Sequence, residues 1–146
     1  MTLEEIENAW MEDVEINQVK LQDESLKIPK LHSKYYNILT REKIVLFKNK
    51  QALEEKEYIF EQFFLKTLTQ EEIIQYGLVE YSSKKYMKSD VHKAINTIPE
   101  IKKLKEKVGL QNIKIDFLES IIKQINNRNW LIRDVIEIRK FENGSN

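Results

Sequence analysis

From residue 30 to residue 66 the chain has neither glycine nor proline, and its apolar residues return at steps of seven. Ile38, Val45, Ala52 and Ile59 form one row; Leu39, Leu46, Leu53 and Phe60 form a second, about 100° further round a helix. Rows at this period mark the apolar side of a long helix, whereas a strand would alternate at period two. Pro29 suits the first turn of such a helix. A helix from Pro29 to Lys66 would span roughly 57 Å at about 1.5 Å per residue, so it must lie against the rest of its own chain or against another subunit. Glu42, Asn49 and Lys56 recur at the same interval between the two rows and break the apolar stripe. That pattern fits a helix packed on several elements, with its basic amino-terminal half partly exposed.

Three glycines and two prolines in 146 residues, with abundant Lys, Glu, Leu and Ile, favour an all-α fold. The length fits one domain, 1–146, with an amino-terminal helical part (1–66), a short helix and basic loop (67–98) and a carboxy-terminal helical region (99–143). Thr2 with Glu5 is a capping box that opens a helix through about Met11. Asp13 to Ile16 is either extended or a link between helices, and Asn17 starts a short helix through about Leu26. Ile28-Pro29 breaks that helix, because the residue before proline is pushed out of helical geometry. Thr69 with Glu72 opens another short helix, which Gly77 closes in the left-handed conformation. Leu78 to Asp90 reads as a loop or short strand and is expected to be mobile; Val91 to Asn96 forms one or two turns. Thr97 with Glu100 is a third capping box, followed by a helix through Ile101, Leu104, Val108, Ile113, Phe117, Ile121 and Ile125 that Gly109 bends. Asn126-Asn127-Arg128 is turn chemistry, and Asn129 caps a last helix from Trp130 to about Phe141. The carboxy-terminal region is thus expected to be a pair of helices.

No apolar run approaches the roughly 20 residues that cross a bilayer, and Glu4, Glu5 and Glu7 stand where a signal peptide would be cationic. With no cysteine there is neither a disulfide nor a thiolate zinc site. The expectation is a soluble intracellular protein. A net charge of zero hides segregation: residues 1–28 carry −6, residues 29–50 carry +5, and residues 84–107 carry +5. Such asymmetry points to a polyanionic partner; the alternative is mutual neutralisation of acidic and basic helices.

Catalytic constellations are missing from this pattern. His32 and His92 lie far apart without neighbouring acids at metal-ligand spacing, and no glycine-rich loop precedes a helix. The pairs Glu54/Glu55 and Glu71/Glu72 fit solvated helical faces. No catalytic residue, metal site or cofactor is expected. Binding chemistry is better represented. Tyr81 to Lys88 interleaves aromatics with Lys84, Lys85 and Lys88, and Lys34, Arg41 and Lys48 stand beside Tyr35 and Tyr36. Lysines neutralise phosphates, and aromatic rings stack on unpaired bases of any identity.

Several stretches resemble, in order along the chain, the recombination mediator family of T-even-type bacteriophages (UvsY). They are Leu3-Glu4-Glu5-Ile6 with Trp10 and Asp13; Glu24-Ser25-Leu26-x-Ile28-Pro29-x-Leu31-His32-x-Lys34-Tyr35-Tyr36; and Tyr86-Met87-x-x-Asp90. The most specific is the block Phe117-Leu118-Glu119-x-Ile121-x-Lys123, Asn127-Arg128, Arg139-Lys140-Phe141 and Gly144. The resemblance implies a non-enzymatic accessory protein that binds single-stranded DNA in the cytoplasm of an infected bacterium. It also implies contacts with a phage single-strand-binding protein and a strand-exchange recombinase, which it helps load. Family members work as ring-like homo-oligomers assembled through the carboxy-terminal region. Phe117, Leu118, Ile121, Ile122, Leu131, Val135 and Ile138 are the candidates for that role here. The family's pair of basic residues ahead of two aromatics (here Phe63-Phe64) is replaced by Tyr58 and Phe60, and its following serine–glycine by Leu65-Lys66. Candidate DNA contacts are therefore Lys34, Arg41, Lys48, Lys56, Tyr58, Lys66, Lys84, Lys85, Tyr86 and Lys88. The competing reading is a structural helical oligomer whose charge blocks only pair subunits.

Overall fold

The computed structural model describes residues 1–81 and 85–144 and is all-α, with no strand among the described residues. Five helices follow one another: α1 (Leu3–Asp13), α2 (Leu21–Phe64), α3 (Gln70–Gln75), α4 (Val91–Asn96) and α5 (Pro99–Glu142). They build two compact units, one from 1–44 with 112–146 and one from 45–111. No helix among the described residues is long and apolar enough to cross a membrane.

Two expected helix boundaries are corrected first. α2 starts at Leu21, so Pro29 lies inside a 44-residue helix instead of opening it. A proline there removes one backbone hydrogen bond and costs about 3 kcal/mol. The apolar contacts on either side offset that cost, because Leu21, Ile28, Leu31 and Tyr35 keep one inward face across the proline, with Tyr35 fully buried. α5 is likewise one 44-residue helix where a pair was expected. Gly109 and Asn126-Asn127-Arg128 are helical, since Ile125, Arg128 and Ile132 are buried at steps of three and four and hold the backbone in register.

The inward stripe of α2 also differs from the two rows read in sequence. It runs Leu39, Glu42, Leu46, Asn49, Leu53, Lys56 and Phe60, in the three-four alternation of a coiled-coil seam. Val45 and Ala52, from the other row, are exposed. Buried Glu42 of this seam is partnered in the first unit: Lys114 Nζ lies 3.1 Å from its carboxylate. Beside the seam, exposed Lys43 pairs with exposed Glu119 at 3.0 Å. With Glu24 beside Arg128 and Glu42 beside Lys114, α2 and α5 run antiparallel in that unit.

The helix ends follow local chemistry. Thr2/Glu5 and Thr69/Glu72 form complete capping boxes, as read from sequence. Thr97 does not: its hydroxyl donates to Ala94 O at 2.7 Å and closes α4 instead. After α3, Gly77 takes φ +69, with Gly77 N donating to Ile74 O and Leu78 N to Ile73 O, a Schellman close. α2 ends in the same motif, through Lys66 N to Phe63 O and Thr67 N to Gln62 O, but there a lysine occupies the left-handed position at φ 61. In the second unit Phe60, Phe63 and Phe64 pack with Leu78, Val91, Ile95, Ile98 and Ile101 into one apolar cluster.

Candidate nucleic-acid interface

In the first unit, Lys27, Lys34 and Arg41 recur at steps of seven on α2 and so share one face of it. Two of the three are already engaged. Lys27 Nζ is 3.1 Å from Glu24, and Lys34 Nζ is 2.5 Å from Asp13. Arg41 is exposed and makes no ion pair among the described residues. Asp13 also accepts the Tyr35 hydroxyl at 2.8 Å. Burial alone would raise the Asp13 carboxyl, but the bonds from Lys34 and Tyr35 outweigh it and hold the group below its ordinary value. Burial and then the Asp13 bond push the Tyr35 phenol far up. Trp10 meets the Tyr35 ring edge-on at 5.4 Å, so Tyr35 anchors α1 and offers no surface for stacking a base. A hollow of about 530 Å³ lined by Glu12, Asp13, Glu15, Lys27, Lys30 and Lys34 therefore mixes both signs of charge.

Arg128, quoted in the sequence only as part of a motif and a turn, is a structural keystone of this unit. The residue is 5% exposed, and its side chain donates to Asp13 O (3.1 Å), Val14 O (3.3 Å) and Glu15 O (3.0 Å), while Glu24 lies at 3.9 Å. A guanidinium suits the end of α1, where unpaired carbonyls and the helix dipole present negative charge. Only its position in the folded chain shows this; nothing in the local sequence does.

In the second unit the candidates divide sharply. Lys48 is exposed and makes no ion pair among the described residues. Lys56 pairs with Glu100 at 3.7 Å. Phe60 is fully buried, so it cannot stand in for a base-stacking contact, while Tyr58 is exposed. Lys66 is exposed, with its Nζ 5.7 Å from the centroid of the Phe63 ring. In the basic loop, Lys85 and Lys88 are exposed, and Lys84 lies outside the described residues. Tyr86 turns inward: its N–H donates to Phe64 O at 3.3 Å, and its ring meets Phe64 edge-on at 5.1 Å. Exposed Lys93, Lys102, Lys103 and Lys107 add to the positive charge of this unit. Sequence reading counted these cations without naming them as contacts, and their exposure is what the fold adds.

The assembly candidates divide too. Leu118 and Ile121 lie in the first unit's own core, at 0% and 1% exposure, and Phe117, Ile122 and Val135 are half-buried. Leu131 and Ile138 are exposed on α5, along with Trp130 and Phe141, which the sequence reading left out. Steps of three and four decide the outcome: Leu118, Ile121 and Ile125 face inward, while Leu131 and Ile138 lie seven apart on another face.

Among the described residues no three His, Asp or Glu side chains are grouped to hold a metal. The profile of the family described as "Recombination, repair and ssDNA binding protein UvsY" matches residues 9–145. This chain belongs to the UvsY family. Its fold is that of the recombination mediator protein UvsY of bacteriophage T4. In one crystal form that protein aligns with TM-score 0.83 at 21% identity, over 97% of this chain and 98% of the other. A second crystal form gives 0.82 at 19% identity, over 97% and 99%, and a third gives 0.79 at 19%, over 94% and 98%. No curated protein matches significantly by sequence. UvsY membership makes this a protein of recombination, repair and single-stranded DNA binding.

Proposed function

We propose that this UvsY-family protein is a recombination mediator: it holds single-stranded DNA and helps a phage strand-exchange recombinase displace a single-strand-binding protein and load. The family match across residues 9–145 carries this reading. The proposed DNA contacts are the exposed Arg41 in the first unit and, separately, the exposed Lys48, Lys66, Lys85 and Lys88 in the second, with Lys84 added from the sequence alone. Lys34 and Lys56 are weaker members because carboxylates already hold them. Tyr86 is packed on Phe64, and Tyr58 stands among carboxylates, so neither is assigned to base stacking. The exposed apolar face of Trp130, Leu131, Ile138 and Phe141 supports a homo-oligomer, which we take to be ring-like.

A loading assay tests the proposal. A labelled recombinase should accumulate faster on a strand precoated with single-strand-binding protein when this protein is present. An unchanged loading rate, with both partners active, would overturn it. Leu131→Glu with Ile138→Glu should lower the oligomer mass seen by light scattering without loss of helix content, and an unchanged mass would remove that face from assembly.

A further inference from the structure

The surface at Tyr58 has the wrong charge for DNA and the right chemistry for something else. A hollow of about 350 Å³ in the second unit is lined by Tyr58 and Tyr76, with Glu55 and Glu72 beside them and Gln62 and Leu68 among its walls. No lysine or arginine lines it. Tyr58 is 62% exposed and Tyr76 39%, so both rings are open to a visitor. Glu55 is exposed and makes no ion pair among the described residues. Glu72 spends one oxygen on the Thr69 N–H at 3.1 Å, which leaves the other for a ligand. The cations nearest in sequence point to other partners: Lys56 pairs with Glu100, and Lys66 lies over the Phe63 ring.

We infer that this hollow receives an arginine or lysine side chain from an exposed segment of a partner protein. Tyrosine faces attract a cation through their quadrupole, and flanking carboxylates supply charge and hydrogen-bond acceptors for it. The same carboxylates repel a phosphate backbone, so the occupant is a cationic protein segment and not the nucleic acid. The inference uses only the lining of the hollow and stands apart from the DNA-binding proposal.

The test titrates the intact protein, labelled with 3-fluorotyrosine, with the peptide acetyl-Gly-Arg-Gly-amide and follows the fluorine resonances. The Tyr58 and Tyr76 signals, assigned by Tyr58→Phe and Tyr76→Phe, should shift saturably. The neutral citrulline peptide should bind about five- to ten-fold more weakly, as loss of a cation–π and ion-pair contact implies. Glu55→Gln with Glu72→Gln should weaken the arginine peptide by a similar factor; a glutamine can still complete the capping box with Thr69, so folding is preserved. Three results would overturn the inference. The first is no saturable shift, or equal binding of the citrulline peptide. The second is displacement of the peptide by oligothymidylate at equal affinity in the double variant, which would make the hollow a strand contact. The third is a lower oligomer mass for the double variant, which would make a second copy of this chain the occupant. Measuring DNA affinity on the same samples separates failure of this inference from failure of the DNA-binding proposal.

Discussion

In the first unit, buried Glu24, Glu42 and Arg128 sit among the residues that join the helices, and Asp13 is held by both Lys34 and Tyr35. In the second, three phenylalanines of α2 pack against Leu78, Val91, Ile95, Ile98 and Ile101, and Tyr81 and Tyr86 meet Phe60 and Phe64 edge-on. The first unit is directional, because a buried guanidinium or carboxylate costs several kcal/mol unless its partner is in place. The second is held by area and shape, which any well-packed apolar set can supply. In the first unit buried polar pairs are thus added to an apolar core that includes Tyr35, Leu39, Leu118, Ile121 and Ile125, whereas in the second an aromatic and aliphatic cluster carries the packing.

The largest effect should come from the aromatic side. Phe60→Ala should destabilise the protein by about 4 kcal/mol in urea unfolding, by lost burial plus a cavity. Tyr58→Ala, two residues away, should stay within about 0.5 kcal/mol of wild type because the ring is exposed. Equal effects at the two positions would dissolve the contrast between core and surface. Next comes Arg128→Ala, expected to cost about 3 kcal/mol, since it strands three carbonyls and a buried carboxylate. Arg128→Lys should rescue little of this, because one ammonium cannot reproduce the planar fork. Full rescue by lysine would mean that charge alone, without geometry, holds α1.

A smaller effect of opposite sign is expected at the end of α2. Lys66→Gly should stabilise the protein by about 0.5–1 kcal/mol, because glycine takes the left-handed position without the penalty lysine bears. The same change should weaken single-stranded DNA binding if Lys66 touches the strand, so stability and affinity would move in opposite directions. Smallest is a pH effect. The Asp13 carboxyl titrates below its ordinary value of 3.8. Its contribution is therefore fully present above that pH and is lost as pH falls through the lower folded value. Asp13→Asn should flatten the acid limb of the stability curve measured between about pH 5 and pH 2, and an unchanged limb would place the network's weight elsewhere.

Much of this was legible from residue order. Both complete capping boxes, the Gly77 close and the α3 and α4 segments depend on contacts within a few residues, and there the sequence reading agrees with the fold. The two long helices were cut short in the reading because Pro29 and Asn126-Asn127 are breakers by propensity, and propensity yields when an inward face continues across them. The polar seam is a related case. In sequence Glu42, Asn49 and Lys56 only break the apolar stripe; the fold buries Glu42 and Asn49 within it and sets Lys114 beside Glu42. Arg128 shows the limit most clearly, since its three acceptors lie more than a hundred residues earlier in the chain. For the candidate interface, charge clustering was visible in sequence, but whether a cation was already paired, as Lys34 and Lys56 are, required the fold.

The central claim is that this UvsY-family chain binds single-stranded DNA through its exposed cations. Fluorescence anisotropy with a labelled oligothymidylate across a salt titration, for wild type and for Lys84→Ala/Lys85→Ala/Lys88→Ala, tests it most directly. Log affinity should fall linearly with log salt, by about 0.7 per phosphate neutralised. The triple variant should bind more weakly, with a slope shallower by about 2, while its oligomer mass stays unchanged. Absence of binding at low salt, or an affinity indifferent to salt, would contradict the account.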